Sequence, residues 1–223
     1  MLIAALVGPF LVDWTAYRST FERYGEQVLG HRVEVMGEAE MRLLPTPTLT
    51  FTDVRVGEPE DALLVISRFS MRVELPPLLK GEVRVIDMTM DQPTLQLAVD
   101  EQGRLDWFTA LRRSSLIDDL DPDLVMLEQA TIRDGRFLVT DARSGRTHSI
   151  EDVDVTVAAR SLKGPFRVDG MATVDGERAT VLVSTGRADA QGGIRVRAGI
   201  TPVATPVDLV ADGRMSIEDG RPA

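Results

Sequence analysis

The stretch VEVMGEAEMRLLPTPTLTFTDVRVGE, residues 33–58, sets the fold class of this chain. Apolar residues stand at alternate positions in its first half, and a Pro-Thr-Pro turn separates them from a second alternating run. A period of two is typical of a β-strand with one face buried and the other in water. The stretch therefore predicts a sheet with one apolar face, carried by Val33, Val35, Ala39, Met41 and Leu43 and then by Leu49 and Phe51.

The same period continues along most of the chain. Residues 63–75 alternate, and further short runs follow at 95–99, 153–157, 166–168, 181–183, 194–196 and 207–209. In the run EVRVIDMTM, the apolar phase changes between Val85 and Ile86. A phase change within a strand predicts a β-bulge or a sharp bend.

Short turn signals separate these runs: DEQGR, RDGR, SGR, VDGE, GRADAQGG and ADGR. Hairpins joined in sequence are the simplest connection for such spacing, since parallel pairs need a crossover of a dozen or more residues. The prediction is a mainly β fold built as an antiparallel meander sheet.

The N-terminal segment combines an apolar run with an aromatic stripe. Residues 1–12 carry no charge but are too few to cross a bilayer, which takes roughly 20 residues. They are interpreted either as an apolar start packed on the domain or as the distal half of a membrane anchor. Both ends look cut, so we expect a segment of a longer protein.

Residues 13–30 predict an N-terminal, membrane-proximal helix that begins at Asp13 and stops at Gly30. Its aromatic stripe suits either a belt at the level of the lipid headgroups or a cap on the end of the sheet. The residues expected at the membrane interface are Phe10, Trp14, Tyr17 and Phe21.

A second, short helix is predicted mid-chain in LDWFTALRRSS, residues 105–115, before an acidic loop near residue 120. The chain is accordingly divided into three parts. Residues 1–30 form the anchor end and aromatic helix, residues 31–120 a first β segment, and residues 121–223 a second β segment.

Charge and composition exclude some partners. The 223 residues carry a formal net charge of −10 and no basic stripe, which argues against nucleic-acid binding. Cysteine is absent, which is compatible with an oxidising compartment such as a periplasm but does not require one.

No catalytic or metal-binding constellation is visible. His31 and His148 lack partners at metal-ligand spacing, and the acidic loop 118–123 fails the EF-hand pattern. Ser144, His148 and Asp152 lie four residues apart, but no nucleophile elbow surrounds the serine. We expect no enzyme, no metal and no cofactor.

The apolar face needs a partner, and two arrangements satisfy it. A sandwich buries two such faces against each other, whereas an open or curved sheet presents a trough. A wall of Val, Leu and Met suits an acyl chain, since burial stabilises by roughly 0.8 kcal/mol per CH₂ without any polar partner. The residues alone leave both arrangements open.

A family resemblance bears on this choice. FLVDWTAYR leads into the aromatic helix, LGHRVEVMGEAEMRLLPTPTLTFTDVRVGE follows, and then LPPLLKGEVRVIDMTMDQPTLQLAVDEQGRLDW. In this order the motifs resemble the N-terminal part of AsmA-family proteins, within the bridge-like lipid-transfer group. The resemblance covers roughly residues 1–108.

The resemblance implies a location, a shape and a function. It implies a single-pass inner-membrane anchor, a periplasmic body, a strongly curved, taco-like β groove, and transfer of phospholipid toward the outer membrane. The expected partners are phospholipid, the inner membrane and outer-membrane assembly proteins. The alternative is a non-catalytic scaffold that binds an assembly factor by strand addition at a sheet edge. The residues expected to line the groove, unless they form a sealed core, are Val33, Val35, Leu43, Leu49, Phe51, Phe69, Met71, Val73, Leu95 and Leu97.

Overall fold

The computed structural model describes most of the chain. The described residues are 18–42, 45–58, 60–74, 85–101, 129–159, 165–187, 193–215, 217–218 and 221–222. They form the helix α1, Arg18–Leu29, and the strands β1 Val33–Val35, β2 Ala39–Arg42, β3 Thr48–Glu58, β4 Asp61–Val73, β5 Val85–Val99, β6 Gln129–Asp141, β7 Arg146–Ala159, β8 Phe166–Val174, β9 Glu177–Thr185, β10 Ile194–Pro202, β11 Leu209–Met215, β12 Ile217–Glu218 and β13 Arg221–Pro222.

Eleven strands build one open, curved sheet, which confirms the mainly β prediction. The order across the sheet is β1-β3-β4-β5-β6-β7-β8-β9-β10-β11, and β2 pairs with β3 beside β1. Strands β12 and β13 form a separate pair. The sheet passes without a break from the first predicted β segment into the second, because β5 pairs with β6.

The pairing of β5 with β6 corrects the prediction of an all-antiparallel meander. These two strands are parallel, with Asp87 opposite Gln129 and Val99 opposite Asp141. A parallel pair requires the chain to return to the same end of the sheet, and residues 100–128 are long enough for that crossover. The predicted short helix at 105–115 belongs to this connection and lies outside the described residues.

The predicted N-terminal helix is found only in part. The helix occupies Arg18–Leu29, and Gly30 ends it with a φ of 68° and an N–H bond of 2.8 Å to the Glu26 carbonyl, as a glycine C-cap does. Residues 13–17 lie outside the described part of the chain, and with them Phe10, Trp14 and Tyr17. Among the described helical residues, no segment is long and apolar enough to cross a membrane.

A crease crosses five neighbouring strands, β3 to β7. In each strand, two consecutive polar residues interrupt the alternation, and the apolar phase then resumes one position later. Four of these pairs end in a non-glycine residue with left-handed φ: Asp53 at 48°, Gln92 at 53°, Asp134 at 51° and Asp152 at 48°. The five polar pairs are Thr52–Asp53, Ser67–Arg68, Asp91–Gln92, Arg133–Asp134 and Glu151–Asp152.

The crease keeps the apolar side chains on one face. In β3, Phe51 before it and Val54 after it belong to the same buried cluster, which also contains Ile66 of β4 and has Phe69 of β4 packed against it. Strands β3 and β4 change phase at the same level, so Thr52 stays opposite Arg68 and Val54 stays opposite Ile66. Between β6 and β7 the two phase changes are not level, and the register shifts on both sides of Gly135.

The predicted bulge near Val85 is confirmed. The register between β4 and β5 shifts between Arg72 and Val73, so that Arg72 faces Asp87 and Val73 faces Val85. Ile86 is the extra residue, and it accounts for the change of apolar phase in the sequence.

The turn signals have mixed outcomes. Asp175 and Gly176 of VDGE form the β8–β9 turn, with φ values of 47° and 85°. RDGR and ADGR, in contrast, lie inside strands β6 and β11, so their prediction as turns was wrong. Both strands continue because neighbouring strands pair with them on each side of β6 and on the β10 side of β11.

Candidate functional site

Helix α1 covers one end of the apolar face. The Phe21 ring stacks on Phe51, with centroids 3.8 Å apart and planes at 20°, and both rings approach Phe69 at 6.1 and 6.5 Å. Leu29 packs against the same cluster. The residues at this end that were predicted to line the groove are enclosed by protein, since Val33, Val35 and Phe51 are at most 4% exposed.

The helix also covers the outer edge of the sheet. Strand β1 is an edge strand, and the Val35 N–H donates to Glu22 Oε1 at 2.9 Å, while Arg18 Nη2 donates to the Gly37 carbonyl oxygen. Side chains of α1 thus satisfy backbone groups that an edge strand otherwise offers to another chain. No local sequence pattern signals these long-range bonds.

A row of apolar positions runs across nine strands, and we call it the central row. Each member stands directly opposite the next in the strand register. At a strand spacing of about 4.8 Å, the row is roughly 38 Å long. Its members from β3 to β11 are Phe51, Phe69, Met90, Ile132, Val155, Gly170, Val181, Ile200 and Leu209.

Exposure differs strongly between the two ends of the central row. Phe51, under the helix, is 4% exposed, whereas Leu209 on β11 is 57% exposed. Between them, Phe69, Met90, Ile132, Val181 and Ile200 are half-buried. The covered end is a core and Val155 in the middle is buried as well, whereas the half-buried and exposed members offer apolar surface.

The predicted groove residues divide accordingly. Val33, Val35, Phe51 and Val73 are buried, and Leu43 lies outside the described residues. The half-buried ones lie on β3, β4 and β5, where the strand register places them beside one another. They are Leu49 opposite Met71, Phe69 in the central row, and Leu95 and Leu97 opposite Phe137 and Val139 of β6.

The central row reaches beyond the residues that the sequence pattern indicated for the groove. The sequence pattern places Val155 and Val181 in strands but not in the groove. It does not single out Ile132 or Ile200. A second buried cluster, with Val153, Val155 and Ala172 at its centre, supports this half of the sheet. The alternation was a usable signal, but only the register assigns these residues to one row.

Gly170, in the middle of the central row, allows two neighbouring strands to approach each other closely. A Cβ on Gly170 would lie 2.1 Å from the Asp154 carbonyl oxygen and 2.6 Å from Val155 Cα, closer than any side chain is tolerated. The backbones of β7 and β8 therefore approach each other where Val155 faces Gly170.

The opposite face of the sheet is polar. Thr50, Ser70, Thr89, Thr131 and Thr156 form a row of hydroxyls across β3 to β7. Beside this row, Arg72 pairs with Asp87, and Arg133 lies 3.4 Å from Asp91. Exposed pairs of this kind contribute little stability, so this face is a solvated surface.

The residues considered for catalysis have other partners. The Ser144 hydroxyl donates to Asp141 Oδ2 at 2.8 Å, and together with the Arg143 N–H it lowers the pKa of Asp141 below its usual value. The Asp152 carboxylate accepts a bond of 3.0 Å from the Thr173 hydroxyl. Within the described residues, no group of three metal-ligating side chains comes together.

Comparison with known proteins identifies a family for this chain. Among curated proteins, no sequence matches this chain. The model of the AsmA family matches residues 1–121, more than half of the 223 residues, and this match includes α1 and β1 to β5. The half-covered apolar sheet described above thus begins within the matched region, and the chain belongs to the AsmA family.

Proposed function

We propose that the apolar face binds phospholipid acyl chains and passes them between membranes. In this proposal the chain is an inner-membrane-anchored protein of outer-membrane biogenesis whose bulk lies in the bacterial periplasm. Membership of the AsmA family suggests a role in outer-membrane or lipid biogenesis, which is the setting of the proposal. No catalytic step is assigned to the chain.

The central row is the observation that carries the proposal. It is continuous over nine strands and, beyond the part under α1, keeps half-buried or exposed apolar side chains at most positions, although Val155 is buried and Gly170 has no side chain. One leaflet of a bilayer is about 15 Å thick in its hydrocarbon part, so a row of roughly 38 Å is longer than one lipid tail. An acyl tail needs no specific polar partner at any position along the row, which favours movement of the tail over fixed binding.

The test uses two matched variants on neighbouring strands. Ile200→Asp places a charge in the central row, whereas Leu182→Asp places one on the opposite face, where Leu182 is already 40% exposed and faces Gly199. We expect native mass spectrometry of detergent-free protein to show co-purified phospholipid in the wild type and in Leu182→Asp. Ile200→Asp should lose it and should take up less fluorescent phospholipid. Equal uptake by both variants would contradict the proposal.

A second candidate function is a scaffold that receives a strand from an outer-membrane assembly factor. The specific observation behind it is the contrast between the two edges of the sheet. Strand β1 is covered by α1, whereas β11 pairs only with β10 in the described residues, and Leu209 and Val210 are 57% and 58% exposed. A photo-crosslinker at Val210 should capture a protein partner from the periplasm under this alternative, and the same group at Leu182 should not.

A further inference from the structure

The turn between β10 and β11 carries no charged residue until it reaches Asp208. Residues 198–207 are all uncharged, in a chain of which 27% of the residues are charged. The strand pairing places the β3–β4, β6–β7 and β8–β9 turns at the same end of the sheet, and these turns carry the charged residues Glu60, Arg143 and Asp175. We call residues 203–207 the valine tip. Its composition sets it apart from the neighbouring turns.

The valine tip and the start of β11 expose apolar side chains. Val203 is 65% exposed and Val207 is 46% exposed, and the figures for Leu209 and Val210 are 57% and 58%. Single exposed apolar side chains are ordinary, whereas several in one short segment are typical of an interaction site. This hairpin is therefore a candidate contact surface.

The valine tip lies where the central row ends. Leu209 is the last member of the row and stands opposite Ile200, and Asp208 alone separates it from Val207 in the chain. The other end of the row, at Phe51, is covered by helix α1. An acyl chain on the row can therefore leave it at the β11 end without displacing the helix.

Hydrogen bonds within the protein satisfy polar groups of the valine tip. The Val203 N–H donates to the Arg178 carbonyl oxygen and the Val207 N–H to the Thr205 carbonyl oxygen, each at 2.8 Å. The Thr205 hydroxyl donates to Glu177 Oε1 at 3.0 Å. Because an unbonded N–H or hydroxyl is costly in a hydrocarbon environment, these bonds lower the cost of moving the tip from water into lipid.

Carboxylates beside the tip limit how deep it can enter a membrane. Asp208 accepts a bond of 2.7 Å from the Thr201 hydroxyl, and Glu177 is held by Thr205. Transfer of an ionised carboxylate into hydrocarbon costs far more than the burial of a valine gains. The geometry therefore fits the boundary between headgroups and acyl chains, where apolar groups enter roughly 5–10 Å.

We propose that the valine tip inserts into the surface of a lipid bilayer and that acyl chains pass there between the bilayer and the central row. This inference rests on the proposed function, since it assigns the β11 end of the row as the place of lipid exchange. The attraction is apolar and needs no anionic lipid, because the chain has a net charge of −10 and Asp208 and Glu177 flank the tip. A protein contact is the competing way to cover these side chains.

The first experiment places a probe at the tip. The chain has no cysteine, so Val203→Cys and Arg143→Cys each give one thiol for an environment-sensitive fluorophore, at two exposed turns of the same sheet end. The full chain is mixed with phosphatidylcholine vesicles. We expect a blue-shifted emission, quenched by lipids with a nitroxide near the headgroup, at residue 203 and not at residue 143. Added phosphatidylglycerol should not strengthen the effect.

The second experiment measures lipid exchange. Val203→Ser combined with Val207→Ser removes apolar surface without adding charge, and it should slow transfer of fluorescent phospholipid from vesicles to the protein about tenfold or more. The amount of phospholipid that co-purifies with the protein should not change, since the central row is intact. Arg143→Ser, on the β6–β7 turn, is the matched control and should exchange lipid at the wild-type rate.

The outcomes separate this inference from the proposed function. The inference alone is overturned if the wild type carries phospholipid but the probe at residue 203 stays in water, or if the double variant exchanges lipid at the wild-type rate. A blue shift that grows with protein concentration in the absence of vesicles would assign the tip to a protein contact and overturn it as well. Insertion at residue 203 in protein that carries no phospholipid would contradict the proposed function and support membrane insertion by the tip.

Discussion

The ring of Phe21 in helix α1 lies 3.8 Å from the ring of Phe51 in strand β3, and this stack fixes the helix on the sheet. Phe51 is also the first member of the central row. The same contact therefore holds the helix and closes one end of the apolar face. Each role can be tested by removing the Phe21 ring.

Replacing Phe21 with Ala should lower the free energy of unfolding by about 2–3 kcal/mol, less than for a fully buried Phe because the side chain is half-buried. Uptake of fluorescent phospholipid should rise, since α1 no longer covers Phe51. Urea unfolding and the uptake assay measure the two effects. Ser19→Ala, on the exposed side of the helix, is the control, and an unchanged stability of Phe21→Ala would contradict the role of the stack.

Replacing Glu22 with Ala should expose the edge of the sheet. The Val35 N–H loses its acceptor at 2.9 Å, which costs about 1–2 kcal/mol of stability and leaves β1 able to pair with another chain. We expect concentration-dependent self-association in light scattering. Glu22→Gln keeps an acceptor oxygen and should stay monomeric to higher concentration; equal association of both variants would rule out edge protection by this side chain.

Two glycines in neighbouring parts of the sheet should respond differently to Ala. Gly170→Ala should destabilise the protein by about 1–3 kcal/mol, because the added Cβ would lie 2.1 Å from the Asp154 carbonyl oxygen. At Gly199 the nearest atom to such a Cβ is the Leu182 carbonyl oxygen at 3.8 Å, so Gly199→Ala should be neutral or slightly stabilising. Thermal unfolding of the pair measures the difference, and similar values would mean that β7 and β8 are not closely packed.

The backbone of Gln92 in the crease is left-handed, with a φ of 53°. Gln92→Gly should therefore raise the free energy of unfolding by about 0.5–1 kcal/mol, since glycine adopts this conformation without strain. Gln92→Val should lower it by at least about 1 kcal/mol, because a β-branched residue tolerates this φ poorly. Denaturant unfolding of both variants is the measurement, and the opposite order would mean that the strand is not creased at this residue.

Acid titration should reveal the pair of Arg167 and Asp169. Two hydrogen bonds of 2.7 and 2.9 Å from Arg167 lower the pKa of Asp169 below its ordinary value of 3.8. A carboxyl group with a depressed folded-state pKa stabilises the fold above its unfolded pKa, and this contribution is lost as the pH falls through the folded value. NMR titration should place the Asp169 pKa below 3.8 in the wild type and close to 3.8 in Arg167→Gln. Equal values in both proteins would exclude the ion pair.

The kinds of element and much of their local detail follow from the order of the amino acids alone. Alternation places Val33 and Val35 on a buried strand face, Gly30 ends the helix, and the phase change after Val85 marks a real bulge. These features depend on side-chain period and on backbone conformations that individual residues permit, and both are local. The apolar character of one face follows from the same period.

The way these elements combine depends on the three-dimensional pairing of strands. The same dipeptide, Asp-Gly, makes a hairpin turn at Asp175 but lies within a paired strand at Asp134, because neighbouring strands pair with β6 on both sides of the bulge at this residue. The parallel pairing of β5 with β6 and the central row depend in the same way on pairing between distant segments. The alternation of apolar and polar residues determines which side chains share a face of one strand. Which residues face each other on different strands is decided by the free energy of pairing segments that are distant in sequence.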